Sequence, residues 1–145
     1  MVFHLLIGVM PRWIGVAMDK RTSVVHLLRG SSEQLQEHVI SLATYLPRSQ
    51  FDVTVAGELD SALQDVLGRN AIRWVSMNLS SRSRRERSQE IQRLRRLLAS
   101  LEAAIIHVHG YEVASLAVQT VRGMNSSPLL VYTAHELSGY ESGAL

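Results

Sequence analysis

The sequence predicts an α/β fold, a doubly wound parallel sheet of about five strands covered by helices on both faces. Two observations carry this prediction. Five short β-branched or apolar runs recur between residues 24 and 133, and segments with apolar residues at helical spacing separate them. Strands alternating with helices in units of this length require right-handed crossovers, which bury a parallel sheet on both sides. At 145 residues the chain is long enough for one such domain and too short for two. A composition of 46% hydrophobic and 19% charged residues excludes a disordered or fibrous chain.

The expected strands are 24–28, 51–56, 71–77, 104–108 and 129–133. The first helix carries Leu35, Val39, Leu42, Ala43 and Leu46 on one face; a Ser31-x-x-Gln34 capping box opens it and Pro47 closes it. A second helix covers about 60–67 and stops at Gly68. The third, about 83–101, aligns Ile91, Leu94, Leu98 and Leu101 in one stripe. The fourth, about 112–122, is apolar on most sides and ends at Gly123. Residues 1–22 form an apolar arm ahead of a domain at 23–145. Pro11 and Arg12 interrupt the apolar run of 1–18, so it falls short of a membrane span, and the first basic residue follows it, which is the wrong order for a secretory signal. The arm is either a start assigned too far upstream, with Met18 or thereabouts as the working start, or a segment that touches a membrane or a partner.

Absence of Cys removes disulfide and thiolate chemistry and points to a cytoplasmic location. The net charge of +2 excludes a polycation built for nucleic acid, and no aromatic platform accompanies the basic residues, so no nucleic-acid partner is expected. Basic residues do cluster on the third helix, at Arg82, Arg84, Arg85 and Arg87 and again at Arg93, Arg95 and Arg96. This is read first as a solvated helix face whose apolar stripe packs on the sheet. The second reading lays the helix on an anionic membrane surface as a peripheral contact.

A doubly wound sheet binds ligands at the carboxyl ends of its strands, where the winding reverses, here between the first and fourth strands. Residues past the strand ends are Arg29-Gly30-Ser31-Ser32, Gly57-Glu58, Asn78, His109-Gly110-Tyr111 and Ala134-His135-Glu136. Gly30 lets the backbone come close at the mouth of the first helix, whose free N–H groups suit a phosphate. His107-x-His109 directs two imidazoles to one face of a strand. No third ligand stands at diagnostic spacing, so no metal is expected. His26 and His107 are read as core histidines with backbone partners, His38 as a helix-surface residue, and His109 and His135 as residues that reach solvent or ligand.

The order of these elements is familiar. The run 24–30 (VVHLLRG), the helix ending in Leu46-Pro47, the run 51–57 (FDVTVAG), the run 105–110 (IIHVHG) and the run 128–135 (PLLVYTAH) resemble the amino-terminal domain of the group 1, or family 4, GT-B-fold glycosyltransferases, over about 23–137. The HVHG and YTAH elements, in order at natural spacing, make the combination specific. The resemblance implies a Rossmann-like domain that binds an acceptor and faces a second such domain holding a nucleotide-sugar donor. It implies retaining glycosyl transfer without an essential metal or other cofactor. Carried over by position, it places Gly30 and Ser31 against the donor diphosphate and makes His135 the catalytic histidine that reaches the donor sugar. His109, Gly110, Tyr111 and Glu136 then shape the acceptor side of the cleft. The family commonly has two glycines in the first loop, whereas Ser31 follows Gly30 here. The chain stops ten residues after His135. It is therefore expected to be truncated before the donor domain, or to be half of a split enzyme, and to be inactive alone. The alternative is a stand-alone Rossmann-like binding module without catalysis.

Overall fold

Residues 4–7, 20–30, 32–81 and 83–135 are described in a computed structural model of the chain. In chain order the elements are β1 (His4–Ile7), β2 (Thr22–Leu28), α1 (Glu33–Tyr45), β3 (Phe51–Gly57), α2 (Ser61–Arg69), β4 (Arg73–Ser76), α3 (Arg84–Ser100), β5 (Ile105–His109), α4 (Tyr111–Val121) and β6 (Leu129–Thr133). One sheet has the order β1-β6-β5-β2-β3-β4. From β6 to β4 all neighbours are parallel. The five expected strands and four expected helices thus form the doubly wound arrangement, and the winding reverses between β2 and β5.

An additional strand arises from the amino-terminal arm. β1 pairs antiparallel with β6, His4 opposite Thr133 and Ile7 opposite Leu130. Its partner lies at the far end of the described chain, so no local pattern reveals it.

Two cores sandwich the sheet. On one face Leu28 and Val55 pack with Leu35, Val39 and Ala43 of α1 and Leu63 and Leu67 of α2. On the other, Val25, Leu27, Ile106 and Val108 pack with Leu94 and Leu98 of α3 and Val113, Leu116 and Ala117 of α4. Alternate sides of β2 therefore serve opposite cores, while β5 gives Ile106 and Val108 to the α3/α4 side, as the two-residue period of a strand requires.

Helix ends follow their chemistry with small shifts. The Ser32 hydroxyl, rather than that of Ser31, caps α1 by accepting from Leu35 N–H. Asp60 caps α2 in the same way at 2.8 Å. Gly68 does not stop α2, which runs through Arg69; Ala71 then takes a left-handed φ of 51° to turn the chain into β4. That turn consumes the first two residues of the strand expected at 71–77. Ser83 and Glu86 form a full capping box on α3. At the end of β3, Gly57 has φ of +142°, and a Cβ there would stand 1.9 Å from the Leu28 carbonyl oxygen. Only glycine allows β2 and β3 to pair to their carboxyl ends.

Candidate functional site at the carboxyl ends of the strands

Register builds the site. β2 and β5 pair with His26 opposite His107 and Leu28 opposite His109, and β5 and β6 pair with His109 opposite Thr133. Paired residues of parallel strands share a face. His26, His107 and His109 therefore project together on the side covered by α1. α1 adds His38, one position before the buried Val39, and the chain leaving β6 adds His135. Five imidazoles from four separate segments thus meet in one group that rises from the middle of the sheet to its mouth.

Their contacts are continuous. His107 Nε2 bonds to Thr133 Oγ1 at 2.8 Å. The rings of His107 and His109 lie 4.3 Å apart, and those of His26 and His107 5.1 Å apart. His26 Nδ1 meets His109 Nε2 at 3.1 Å, and His109 Nδ1 meets His135 Nε2 at 3.1 Å. The His38 ring stands edge-on to His135 at 5.0 Å and to His109 at 5.7 Å. A neutral His109 has one ring proton for two imidazole contacts, so it donates to one neighbour and accepts from the other. The tautomers of His26, His109 and His135 are therefore coupled.

Burial sets their charge. His26 is pushed down from 6.5 to about 3, chiefly by burial and then by the neighbouring His107 and His38 imidazoles. His109 is likewise lowered, by burial first and then by His107, His26, His135 and His38. Both rings are neutral at pH 7.

Several expectations change. His109 is 1% exposed rather than open to solvent, with the rings of His38 and His135 against it. His38 is half-buried against two imidazoles rather than a free helix-surface residue. His26 and His107 are core residues as expected, with side-chain partners in His109 and Thr133 respectively. The sequence offers no third ligand beside His107-x-His109. In the fold, one ring nitrogen of each of His26, His107 and His109 lies within 4.8 Å of the others, and the same holds for His38, His109 and His135.

The remaining residues line the same edge of the sheet. Gly30 has φ of +110° between β2 and α1, and Gly110 has φ of +94° at the start of α4 without a side-chain cap. Tyr111 is exposed. Gly30, Glu58, Asp60, Ser76, Asn78 and Ser80 line an open cleft of about 490 Å³. Arg29 reaches Glu58 at 3.6 Å and also pairs with Glu112 in the first turn of α4. Glu58 accepts from Leu79 N–H at 3.1 Å and from the Ser80 hydroxyl, which holds the loop after β4 to the end of β3. Ser31, Glu136 and Arg82 lie outside the described residues.

On α3 the apolar stripe is spent on the core through Leu94 and Leu98. Arg87 donates to Ser115 Oγ, and Arg95 donates to the carbonyls of Gln119 and Thr120, which ties α3 to α4. Arg84, Arg85, Arg93 and Arg96 remain exposed. Among the described residues no helix is long and apolar enough to cross a membrane.

The family model described as Glycosyltransferase Family 4 matches residues 35–144. No curated protein matches the chain. Among solved structures, apo saccharopine dehydrogenase (L-Glu forming) from Saccharomyces cerevisiae is similar at 14% identity and a TM-score of 0.47, over 70% of this chain and 20% of that one. The chain thus spans about a fifth of that relative's length. A likeness this distant carries no argument about function.

Proposed function

Since this chain belongs to glycosyltransferase family 4, we propose that it forms the acceptor-side domain of a retaining enzyme that moves a sugar from a nucleotide-sugar donor to an acceptor hydroxyl. What supports this most is the continuity of the family match, which runs from α1 past His135 and so takes in the loops at the carboxyl ends of β3–β6. In the transfer, the bond between the anomeric carbon and the diphosphate breaks and the acceptor oxygen takes its place with configuration retained. The acceptor proton leaves with the diphosphate.

In this reading each residue has one task. The α1 N-terminus, entered through Gly30 and Ser31, offers backbone N–H groups to the diphosphate. His135 hydrogen-bonds a donor hydroxyl and steadies the positive charge that grows at the anomeric carbon. His109 is a positioning residue that holds the His135 ring from below. Gly110, Tyr111 and Glu136 shape the acceptor side. A second domain grips the donor from across the cleft, because leaving-group binding and acceptor positioning are divided between two walls. Exposed arginines of α3 add an electrostatic contact with anionic lipid, with no apolar insertion.

Backbone NMR of the chain titrated with nucleotide sugars tests the diphosphate contact. The reading expects weak, saturable shifts centred on Gly30 and Ser32–Leu35. Shifts confined to the opposite edge of the sheet would contradict it.

A further inference from the structure

We propose that His38, His109 and His135 form a binding site for a divalent transition metal of the zinc class, with three imidazole ligands and an open fourth position. The inference does not rest on the glycosyltransferase reading, since it concerns the free chain without any sugar nucleotide.

Three observations carry it. One ring nitrogen from each residue lies within 4.8 Å of the other two. His109 Nδ1 and His135 Nε2 are 3.1 Å apart, close to the ~3.3 Å that separates two ligands of a tetrahedron with bonds of about 2.0–2.1 Å. The half-buried His38 on α1 stands edge-on to both partners, its ring 5.0 Å from that of His135 and 5.7 Å from that of His109.

For His109 the outer shell is already in place. A metal-bound imidazole normally donates its other ring N–H to a fixed acceptor, which sets the tautomer. With Nδ1 of His109 on the metal, its proton sits on Nε2, and Nε2 faces His26 Nδ1 at 3.1 Å in the buried layer beneath. The two contacts of His109 then have separate tasks, one toward the metal and one toward its support.

Location favours this trio over the deeper one. His26, His107 and His109 are all buried, and His107 is engaged by Thr133. His38 and His135 are half-buried at the sheet mouth, so the outer trio is the one an ion reaches from solvent. A donor set of three imidazoles suits Zn²⁺, Co²⁺, Ni²⁺ or Cu²⁺ and disfavours Mg²⁺ and Ca²⁺, which prefer oxygen.

The test is titration of the full chain, without a polyhistidine tag, with Co²⁺, followed by Zn²⁺ displacement. One equivalent should give the intense visible absorption of tetrahedral cobalt, Zn²⁺ should abolish it, and Mg²⁺ should not. His38→Gln and His135→Gln, both folded by circular dichroism, should each weaken binding about tenfold or more, since even outer-shell losses cost 10–100-fold. His26→Leu should weaken it by about 10–100-fold, and His26→Asn, whose amide oxygen can accept the Nε2 proton, should recover most of that loss. Absence of tetrahedral cobalt in the folded chain would overturn the proposal. So would binding that survives the His38→Gln/His135→Gln double variant.

Discussion

His109, at the buried end of β5, and His135, just past β6, meet ring nitrogen to ring nitrogen at 3.1 Å. This contact joins the packed interior of the sheet to the edge formed by the carboxyl ends of its strands. The first residue cannot change tautomer without changing what the second offers to the cleft, and His26 beneath is coupled through the other nitrogen of His109.

His135→Ala, in an assembly that contains a donor domain, should lower turnover by roughly 10²-fold while the fold stays intact, as loss of a transition-state hydrogen-bond donor does. Steady-state kinetics with circular dichroism checks it. His109→Gln should act more mildly, because it removes only the support beneath that ring. Unchanged turnover in His135→Ala would remove the residue from the catalytic group.

Acid should destabilise the domain early. In the folded chain His26 stands at about 3 and His109 is also lowered, whereas both titrate near 6.5 when unfolded. Between those limits the unfolded state binds more protons. Stability is therefore full above pH 6.5 and falls as pH drops, by up to about 1.4 kcal/mol per pH unit for each ring. Urea midpoints measured from pH 8 to pH 4 should be flat above 7 and decline below 6.5. His26→Phe should make that decline shallower. A midpoint that does not move between pH 7 and pH 4.5 would contradict the neutral buried cluster.

Gly57→Ala should cost about 3 kcal/mol or more, because it combines a φ that L-residues avoid with a clash on the Leu28 carbonyl. Gly110→Ala meets no atom within 4 Å and should cost only the strain of a backbone region that glycine alone adopts freely, about 1–3 kcal/mol. Thermal unfolding of the two variants compares them directly. Equal losses would mean that the clash at Gly57 is relieved by movement of β2.

The arginines of α3 should separate into two groups. Arg95→Ala removes the bonds to the Gln119 and Thr120 carbonyls and should lower stability by about 1–2 kcal/mol. The Arg84→Ala/Arg85→Ala pair should leave stability unchanged but reduce flotation with anionic liposomes at low salt, at about 1 kcal/mol per charge. Flotation that does not differ between anionic and neutral liposomes would assign these residues to solvent.

The fold was largely legible because its signals are local. Alternating runs such as 24–28 and 104–108 mark strands, and the stripe Leu94–Leu98 marks a buried helix face. The structure departs from the sequence expectation where neighbours decide the outcome. Ser32 rather than Ser31 caps α1, and α2 passes through Gly68 because Ala71 supplies the turn. β1 depends on pairing with a strand at the other end of the described chain. The histidine group shows the same limit. His107-x-His109 is visible as a strand pair, but the addition of His26, His38 and His135 depends on parallel register and on which face α1 covers. Spacing in sequence does not encode either.

The most direct test of the central claim is a transfer assay with the purified chain and a panel of nucleotide sugars, run alone and then with a separately expressed donor domain from a family 4 enzyme. The chain alone should neither transfer sugar nor hydrolyse donor, because the weak N–H contacts of one wall do not hold the leaving group in productive geometry without the other wall. The mixture should transfer sugar, and His135→Ala should abolish most of that activity. Robust turnover by the chain alone, or a mixture that stays inactive although the two domains associate and the donor binds, would contradict its assignment as the acceptor half.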